Sequence, residues 1–322
     1  MLSAPISRFM TVFCTRDVKP GGMELLKKHF TDIILPSKPN GIPREEFIEK
    51  AKKADIIYAD RRDVINKEIL DNPKLKLITV CAAGYDNIDI NYATKRKIIV
   101  ANTHKSLADT CADTIWSLIM ACARRVVEAD QFVKNGDWEK TSPQCLWGIN
   151  VHHKTLGVIG AGHIGRAVAK RGEGFNMKVL FNDTGPQYTP LEQLLKESDV
   201  VVVACPLTEK TRKLIGRKEI AMMKKTAILA NIGRGPVIDT EALADALEQK
   251  QIWGAALDVI DPEPLPHNHR ILKNKNLAIF PHIGSGTAQC FNEMSIEAAE
   301  AAVHFLHGER VPNVTNVEVY NE

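Results

Sequence analysis

The chain has 322 residues, of which 44% are hydrophobic and 25% charged, and its formal net charge is +3. This length exceeds the usual size of one α/β core and predicts two domains, while the composition is that of an ordinary globular protein. The densest basic run, residues 95–97, is predicted at a helix end, where cations suit the helix dipole. These features argue against a nucleic-acid-binding protein.

The seven cysteines show no CxxC spacing and mostly lie in apolar segments. This pattern predicts reduced thiols, with neither a disulfide framework nor a zinc site. The N-terminus lacks the basic-then-apolar pattern of a signal peptide, and no apolar run approaches the roughly 18 residues of a membrane span. The sequence thus predicts a cytoplasmic protein with no membrane partner and no metal.

The N-terminal part alternates short β-branched runs with helical patterns. We predict these elements, in chain order, at residues 9–15, 22–30, 32–35, 44–54, 55–58, 67–70, 75–80 and 98–101. Alternation at this spacing predicts βαβ units and a mostly parallel sheet. Asn102 and Thr103 are predicted to mark a crossing between domains.

One long amphipathic helix is predicted next, over residues 108–134, because its apolar residues recur at a helical period. Asn135 and Gly136 end it. Residues 138–153 contain Pro143 and Gly148 and predict an irregular loop over a surface.

A second α/β series follows and ends in another long helix, predicted over residues 286–307. Its strands are predicted at residues 156–159, 177–182, 199–204, 227–231, 255–259 and 277–280, with helices between them. The alternation again predicts a parallel sheet.

A glycine turn follows the first strand of this second series. Gly160, Gly162 and Gly165 form G-x-G-x-x-G, in which the glycines allow a tight turn, approach of the backbone to a pyrophosphate, and packing of the helix on the strand. Asp183 follows the next strand, where an acid accepts hydrogen bonds from the ribose 2′-hydroxyl and repels a 2′-phosphate. The segment therefore predicts a dinucleotide site that favours NADH over NADPH. Asp183 is also compatible with a simple turn-forming role before Thr184.

The fold predicted from these patterns is α/β, with two doubly wound parallel-sheet (Rossmann-like) domains joined by long helices. Because only the second series has the phosphate turn, residues 104–287 are predicted to form the dinucleotide-binding domain. Residues 1–103 plus 288–322 are predicted to form the substrate (catalytic) domain.

Three residues that can take part in binding or catalysis lie at or directly after the end of a predicted strand of the second series. Arg234 can bind a carboxylate in bidentate fashion, Asp258 can hold a nicotinamide carboxamide, and His282 can donate a proton near neutrality. Glu263, between two prolines, can orient the imidazole and favour its cationic form. Taken singly, His282 also fits a structural histidine, and Arg234 and Glu263 fit ordinary surface residues.

Four segments in one order resemble the D-isomer-specific 2-hydroxyacid dehydrogenases, and the resemblance covers nearly the whole chain. They are residues 160–165, 231–235, 257–264 and 281–285. The stretches at residues 262–266, 268–269 and 282–285 look most like the glyoxylate/hydroxypyruvate reductase branch. The resemblance implies that Arg234 binds the substrate's carboxylate and carbonyl, that Glu263 pairs with His282, and that His282 is the acid/base.

The resemblance also implies the remaining contacts. Residues 80–87 are similar to the family's substrate loop, so the N–H groups around Ala83 and Gly84 are expected to bind the substrate carboxylate, with Ser285 in addition. Cofactor contacts are implied at Gly160, Ala161, Gly162, His163, Ile164, Gly165, Asp183, Pro206, Ile232, Arg234, Asp258, His282 and Gly284.

The function expected from this resemblance is hydride transfer from NADH or NADPH to a small 2-oxo acid, by a homodimer joined through its cofactor domains. Glyoxylate and hydroxypyruvate, giving glycolate and D-glycerate, are the expected substrates. Alternatives are dehydrogenases of the D-lactate or D-3-phosphoglycerate type and an NAD-sensing corepressor of the C-terminal-binding-protein type. The sequence departs from the family at a short segment after Asp183, and at Thr141, where the glyoxylate branch has a tryptophan from the partner subunit.

Overall fold

The computed structural model describes residues 9–321 of the chain. It divides into two compact units: unit 1 comprises the residues up to Leu107 and those from Gly286 onward, and unit 2 is Ala108–Ser285. Residues 1–8 and 322, which the predicted substrate domain includes, lie outside the described residues. Each unit is built around its own parallel sheet.

Strands and helices alternate along almost the whole described chain. The strands are β1 (Thr11–Cys14), β2 (Asp32–Ile34), β3 (Ile56–Ala59), β4 (Leu77–Val80), β5 (Ile99–Asn102), β6 (Thr155–Ile159), β7 (Lys178–Asn182), β8 (Val200–Val203), β9 (Ile228–Asn231), β10 (Gly254–Leu257) and β11 (Leu277–Ile279). The helices are α1 (Pro20–His29), α2 (Arg44–Ala51), α3 (Lys67–Leu70), α4 (Ile90–Lys95), α5 (Ala108–Arg124), α6 (Val126–Lys134), α7 (His163–Gly174), α8 (Leu191–Glu197), α9 (Arg217–Ala221), α10 (Thr240–Glu248) and α11 (Ala288–Leu306).

In the described part of unit 1, a five-stranded sheet has the order β2-β1-β3-β4-β5, and its strand pairs are parallel. Because successive side chains of a strand point to opposite faces, the sheet is covered on both sides. Phe13 packs into a cluster with residues of α2, α3 and α4, whereas Val12 and Cys14 pack into a second cluster with residues of α1 and α11. Helix α11 thus completes a core begun by the N-terminal residues.

In the described part of unit 2, a six-stranded parallel sheet has the order β11-β10-β9-β8-β6-β7. Helices α7 and α8 cover opposite faces of this sheet. A side chain added at Gly157 would meet Leu194 of α8, whereas the side chain of the next residue, Val158, lies close to Gly165 of α7. Strand order reverses between β6 and β8. In open parallel sheets, ligands bind at the carboxyl ends of the strands beside such a reversal.

The predicted α/β class with two parallel-sheet domains is confirmed. The single helix predicted over residues 108–134 is wrong: Arg125 adopts a left-handed conformation with φ 53° and separates α5 from α6. Residues 138–153 are irregular, as predicted, apart from two short 3-10 turns at Asp137–Glu139 and Pro143–Leu146. The final helix begins at Ala288, where the side chain of Thr287 caps it, two residues later than predicted.

Two further properties follow from the packing. Burial raises the pKa of the Cys14 and Cys122 thiols to about 12, which keeps them protonated and unreactive. Among residues 9–321, no helix is both long and apolar enough to cross a membrane.

Candidate active site

The residues that the sequence marked for cofactor binding and catalysis collect at one edge of the unit 2 sheet. All its strands run in the same direction, so their carboxyl ends share this edge. In chain order, this edge carries the glycine turn after β6, Asp183 after β7, Pro206 after β8, Ile232 and Arg234 after β9, Asp258 after β10, and residues 282–285 after β11. Ala83 and Gly84 follow β4 in unit 1.

At two of its three glycines, the turn after β6 has no room for a side chain. Gly160 has φ 103°, and a side chain at Gly165 would overlap the carbonyl oxygen of Gly160. Around Gly162, in contrast, the space is open, since an added Cβ would meet no atom within 4 Å. Gly162 is the N-cap residue of α7 and provides no side-chain cap, and the N-terminus of a helix favours binding of a phosphate. His163 is exposed beside it, and these residues fit a dinucleotide pyrophosphate.

Asp183 shapes the turn and faces solvent. Its Oδ2 accepts a hydrogen bond from the N–H of Ala161 at 2.6 Å, and its Oδ1 accepts one from the N–H of Thr184 at 2.7 Å. The turn-forming role is thus present, and a carboxylate oxygen can accept further bonds from a ribose. The short segment after Asp183 leads from β7, the edge strand of the sheet, directly to α8.

Arg234 is held in a tight loop after β9. The side chain of Asn231 bonds the loop at both ends: its Nδ2 donates to the carbonyl of Arg234 at 3.0 Å, and its Oδ1 accepts from the N–H of Gly233 at 3.0 Å. One guanidinium nitrogen of Arg234 donates to the carbonyl of Gly233 at 3.1 Å. The side chain is half-buried, so a fixed positive charge stands at the edge of the sheet.

His282 and Glu263 are in direct contact. His282 Nδ1 lies 2.6 Å from Glu263 Oε1, and the imidazole is 16% exposed against 40% for the carboxylate. A carboxylate at this distance orients the ring and favours its cationic form. Because Nδ1 faces Glu263, the proton that can be exchanged with a substrate is the one on Nε2.

Asp258 has a role that sequence reasoning missed. Its carboxylate is buried and accepts the N–H groups of Ile283, at 2.8 Å, and Gly284, at 2.9 Å, while its carbonyl accepts the N–H of His282 at 2.9 Å. Thr114 of α5 bonds the carbonyl of Gly284 at 2.9 Å. Asp258 thereby fixes the turn that carries His282. An acid directly after a strand was the signal, but its partners depend on tertiary structure.

Burial raises the pKa of the Asp258 carboxyl group, while the bonds from Ile283 and Gly284 act in the opposite direction. Two other predicted contacts flank the same edge: Ile232 is buried and Pro206 is exposed. Ser285 is half-buried directly after Gly284.

His269 has partners close to it in the chain and on α10. The Nε2 atom of His269 lies 3.0 Å from Glu241 Oε1, and its Nδ1 accepts the N–H of Ile271, so His269 supports a 3-10 turn. His152 and His153 are exposed. In the described part of the chain, no group of three or more His, Cys, Asp or Glu residues has the arrangement of a metal site.

Residues 116–284 match the family model "D-isomer specific 2-hydroxyacid dehydrogenase, NAD binding domain". The chain is 41% identical over 323 aligned residues to a glyoxylate reductase of Thermococcus gammatolerans, which covers 96% of each chain. A glyoxylate reductase of Aeropyrum pernix is also 41% identical, with the same coverage.

Solved structures agree with these matches. A protein from Thermus thermophilus superimposes with a TM-score of 0.85 at 35% identity, covering 95% of this chain and all of the other. A glyoxylate reductase from Paecilomyes thermophila superimposes with a TM-score of 0.83 at 27% identity, covering 96% and 99% of the two chains. The chain therefore belongs to the D-isomer specific 2-hydroxyacid dehydrogenases, a family of NAD(P)-dependent oxidoreductases.

Proposed function

We propose that the chain reduces glyoxylate and hydroxypyruvate to glycolate and D-glycerate, with NADH as the preferred cofactor. The observation that carries this proposal is the Glu263–His282 contact of 2.6 Å, on the same sheet edge as Arg234 and the glycine turn. Relatives about 40% identical over 96% of the chain are named glyoxylate reductases, which supports the choice of substrate.

The chemistry divides between proton transfer and positioning. A bound reduced nicotinamide supplies the hydride for the carbonyl carbon of the 2-oxo acid. His282 donates the proton on Nε2 to the carbonyl oxygen as negative charge develops there, and Glu263 stabilises the imidazolium that this step requires. Arg234 binds the carboxylate and polarises the carbonyl. For unit 1 taken by itself, we propose that the N–H groups of Ala83 and Gly84 bind a carboxylate of the 2-oxo acid.

The preference for NADH rests on Asp183. Its exposed carboxylate can accept hydrogen bonds from the two ribose hydroxyls, whereas a 2′-phosphate would add negative charge beside it. The segment from Thr184 to Pro190 contains no arginine or lysine that would offset this repulsion. The open space at Gly162 and the uncapped start of α7 suit the pyrophosphate of either cofactor.

Oxidation of NADH and of NADPH, followed spectrophotometrically in parallel, tests the proposal. Glyoxylate, hydroxypyruvate, pyruvate and 3-phosphohydroxypyruvate are each supplied over a range of concentrations. We expect the highest kcat/KM with NADH and either glyoxylate or hydroxypyruvate. A higher value with pyruvate or with the phosphorylated acid would assign the chain to another dehydrogenase of the family. Tight NADH binding without turnover of any 2-oxo acid would favour a corepressor-type binding protein.

We also propose a homodimer formed through unit 2. Helix α6 contains no buried residue, even though it is rich in valine. Its residues Val126, Val127 and Val133 are 50%, 58% and 54% exposed. Trp138 and Trp147 follow with 62% and 72% exposure. An apolar surface of this kind is usually covered by a partner, and a second copy of the chain is always present to serve as that partner.

Sedimentation analysis tests this interface. We expect the wild type to sediment as a dimer and Val127→Glu to dissociate more readily into monomers. A monomeric wild type would refute the proposal.

A further inference from the structure

The predicted carboxylate-binding turn of unit 1 is anchored by its carbonyl groups. The carbonyl of Ala82 accepts the backbone N–H of Thr103 at 3.0 Å. The carbonyl of Ala83 accepts the side-chain Nδ2 of Asn102 at 2.6 Å. Both donors lie at or directly after the end of β5, the strand that pairs with β4. Two successive peptide groups of the turn are therefore held from the same side.

Anchoring a carbonyl also orients an N–H group. In a planar trans peptide, the C=O of one residue and the N–H of the next point in opposite directions. The Ala82 carbonyl therefore fixes the N–H of Ala83, and the Ala83 carbonyl fixes the N–H of Gly84. These two N–H groups, directed away from Thr103 and Asn102, are the groups proposed to bind the substrate carboxylate.

The side chain of Asn102 is itself held in one orientation. Since the Ala83 carbonyl can only accept, the amide nitrogen of Asn102 must face it, and the amide oxygen then faces His104. His104 Nδ1 lies 2.8 Å from this Oδ1, so Nδ1 carries the proton and donates it. Asn102 is buried, and its own N–H donates to the carbonyl of Asn313 at 3.2 Å.

His104 is fixed in turn by Glu297 of α11. The Glu297 carboxylate accepts the N–H groups of His104, at 3.3 Å, and Ser106, at 3.1 Å, as well as the Ser106 hydroxyl at 2.6 Å. It also accepts the side-chain Nδ2 of Asn313 at 2.7 Å. The order of contacts thus runs from α11 through His104 and Asn102 to the Ala83 carbonyl.

We propose that Asn102 is a positioning residue for the reduction: its amide, held by His104, directs the N–H of Gly84 toward the substrate carboxylate. This inference rests on the proposed function, because it assumes that the turn binds a 2-oxo acid. Asn102 acts through the backbone of the turn and does not touch the substrate. Its loss should therefore weaken substrate binding while leaving cofactor binding unchanged.

Asn102→Ala tests this role against a matched control. Asn72 is also a buried asparagine of unit 1, and its Nδ2 donates to the carbonyls of Ala51 and Ala54, each at 2.9 Å. We expect Asn102→Ala to raise the KM for glyoxylate about tenfold, the effect of one hydrogen bond to a charged group, with the KM for NADH unchanged. Asn72→Ala should lower the Tm and leave both KM values unchanged. Equal KM values for glyoxylate in wild type and Asn102→Ala would overturn the proposal.

The support from His104 is tested separately, which keeps the proposal falsifiable if Asn102→Ala does not fold. His104→Leu removes the donor to Asn102 and should raise the KM for glyoxylate in the same direction. His104→Asn places an amide nitrogen near the former Nδ1 and should restore the wild-type KM. An effect of His104→Leu on the Tm alone, with no change in KM, would contradict the positioning role.

Binding of oxalate to the NADH-loaded protein, measured by calorimetry, separates this inference from the proposed function. Oxalate has the carboxylate of a 2-oxo acid but cannot accept hydride. If the wild type binds oxalate more tightly than Asn102→Ala but reduces no 2-oxo acid, the proposed reduction fails, whereas the orientation of the Gly84 N–H toward a bound carboxylate by Asn102 stands. If both proteins bind oxalate equally, or if neither binds it, the positioning role fails.

Discussion

The two sheets present backbone N–H groups at their edges by different means. In unit 2, the edge at β6 is open: Gly162 has free space around it, and helix α7 begins there without a side-chain cap. In unit 1, the turn after β4 is closed, since the carbonyls of Ala82 and Ala83 are bound by residues at the end of β5. A helix start can serve an extended diphosphate, whereas two anchored peptide groups suit a single small carboxylate. Under the proposed function, two sheets of one fold class would bind two anions of different size.

The largest effect is expected at His282, which tests whether the chemistry resides in unit 2. His282→Ala removes the proposed proton donor and should lower kcat about 10²- to 10⁴-fold, the usual contribution of general acid catalysis. His269→Ala is the matched control, because His269 also contacts a glutamate, Glu241, at 3.0 Å. We expect this control to reduce the Tm and preserve kcat. Near-normal turnover of His282→Ala would remove His282 from the mechanism.

Gly165→Ala is expected to damage the structure around the open turn. The added methyl group would overlap the carbonyl oxygen of Gly160, so β6 and α7 must separate slightly. Overpacking of this kind costs about 1–3 kcal/mol in the free energy of unfolding, measurable by urea denaturation. Gly174→Ala in the same helix is the control, since its Cβ would meet no atom within 4 Å. Equal stability of the two variants would show that the close packing at Gly165 is unimportant.

Gly162→Ala tests whether the open space serves the cofactor. Its methyl group meets no protein atom within 4 Å, so the free energy of unfolding should not fall because of a clash. It occupies the space into which a pyrophosphate would come, and we expect the Kd for NADH, measured by fluorescence titration, to rise about tenfold. An unchanged Kd would place the pyrophosphate elsewhere.

Asp183→Asn should change the choice of cofactor by a smaller factor. The amide oxygen can still accept the N–H of Ala161, but the charge that opposes a 2′-phosphate is gone. The ratio of kcat/KM with NADPH to that with NADH should rise severalfold, up to about tenfold, with screening by salt setting the limit. If Asp183→Asn and the wild type had the same NADPH-to-NADH ratio of kcat/KM at every ionic strength, Asp183 would be only a turn-forming residue.

The smallest effect is expected at Asp239, which follows Arg234 in the chain but faces α10. Its carboxylate caps that helix, and the hydrogen bond from Lys213 lowers its pKa from 3.8. Asp239→Asn retains the cap and loses the charge, so at neutral pH it should cost less than about 1 kcal/mol without affecting kcat. A carboxyl group with a lowered pKa stabilises above its unfolded pKa and loses this contribution as the pH falls through the lowered value. Urea denaturation should therefore show the difference beginning to shrink as the pH falls below about 4, and vanishing once the pH is below the lowered pKa.

The strand ends of unit 2 could be predicted from the sequence because two local signals coincide there. Each strand is a short apolar run, and each run is followed closely by a glycine or a polar residue, as at Gly160, Arg234 and His282. Such signals lie within a few residues of one another. They therefore give the position of a side chain along the chain and the edge of the sheet at which it lies.

The remaining features depend on residues far apart in sequence. Asn102 was read only as a crossing point, because its partner Ala83 is brought near by the pairing of β4 with β5. The bonds from Asp258 to the turn of His282 depend in the same way on β10 and β11. The break at Arg125 escaped prediction because arginine is a good helix former, and nothing local signals its positive φ.

Because α11 belongs to unit 1, the two units become complete at different times during synthesis. Unit 2 is one continuous segment, so all its strands and helices leave the ribosome before α11 does. The second core of unit 1 includes Ala298, Ala299 and Ala302 beside Val12 and Leu26. That core can form only after unit 2 has been translated. Until then, α11 cannot cover the apolar face of β1. The residues of β1 are therefore translated before α11 and covered by it only afterwards, and exposed apolar surface of this kind favours aggregation during synthesis.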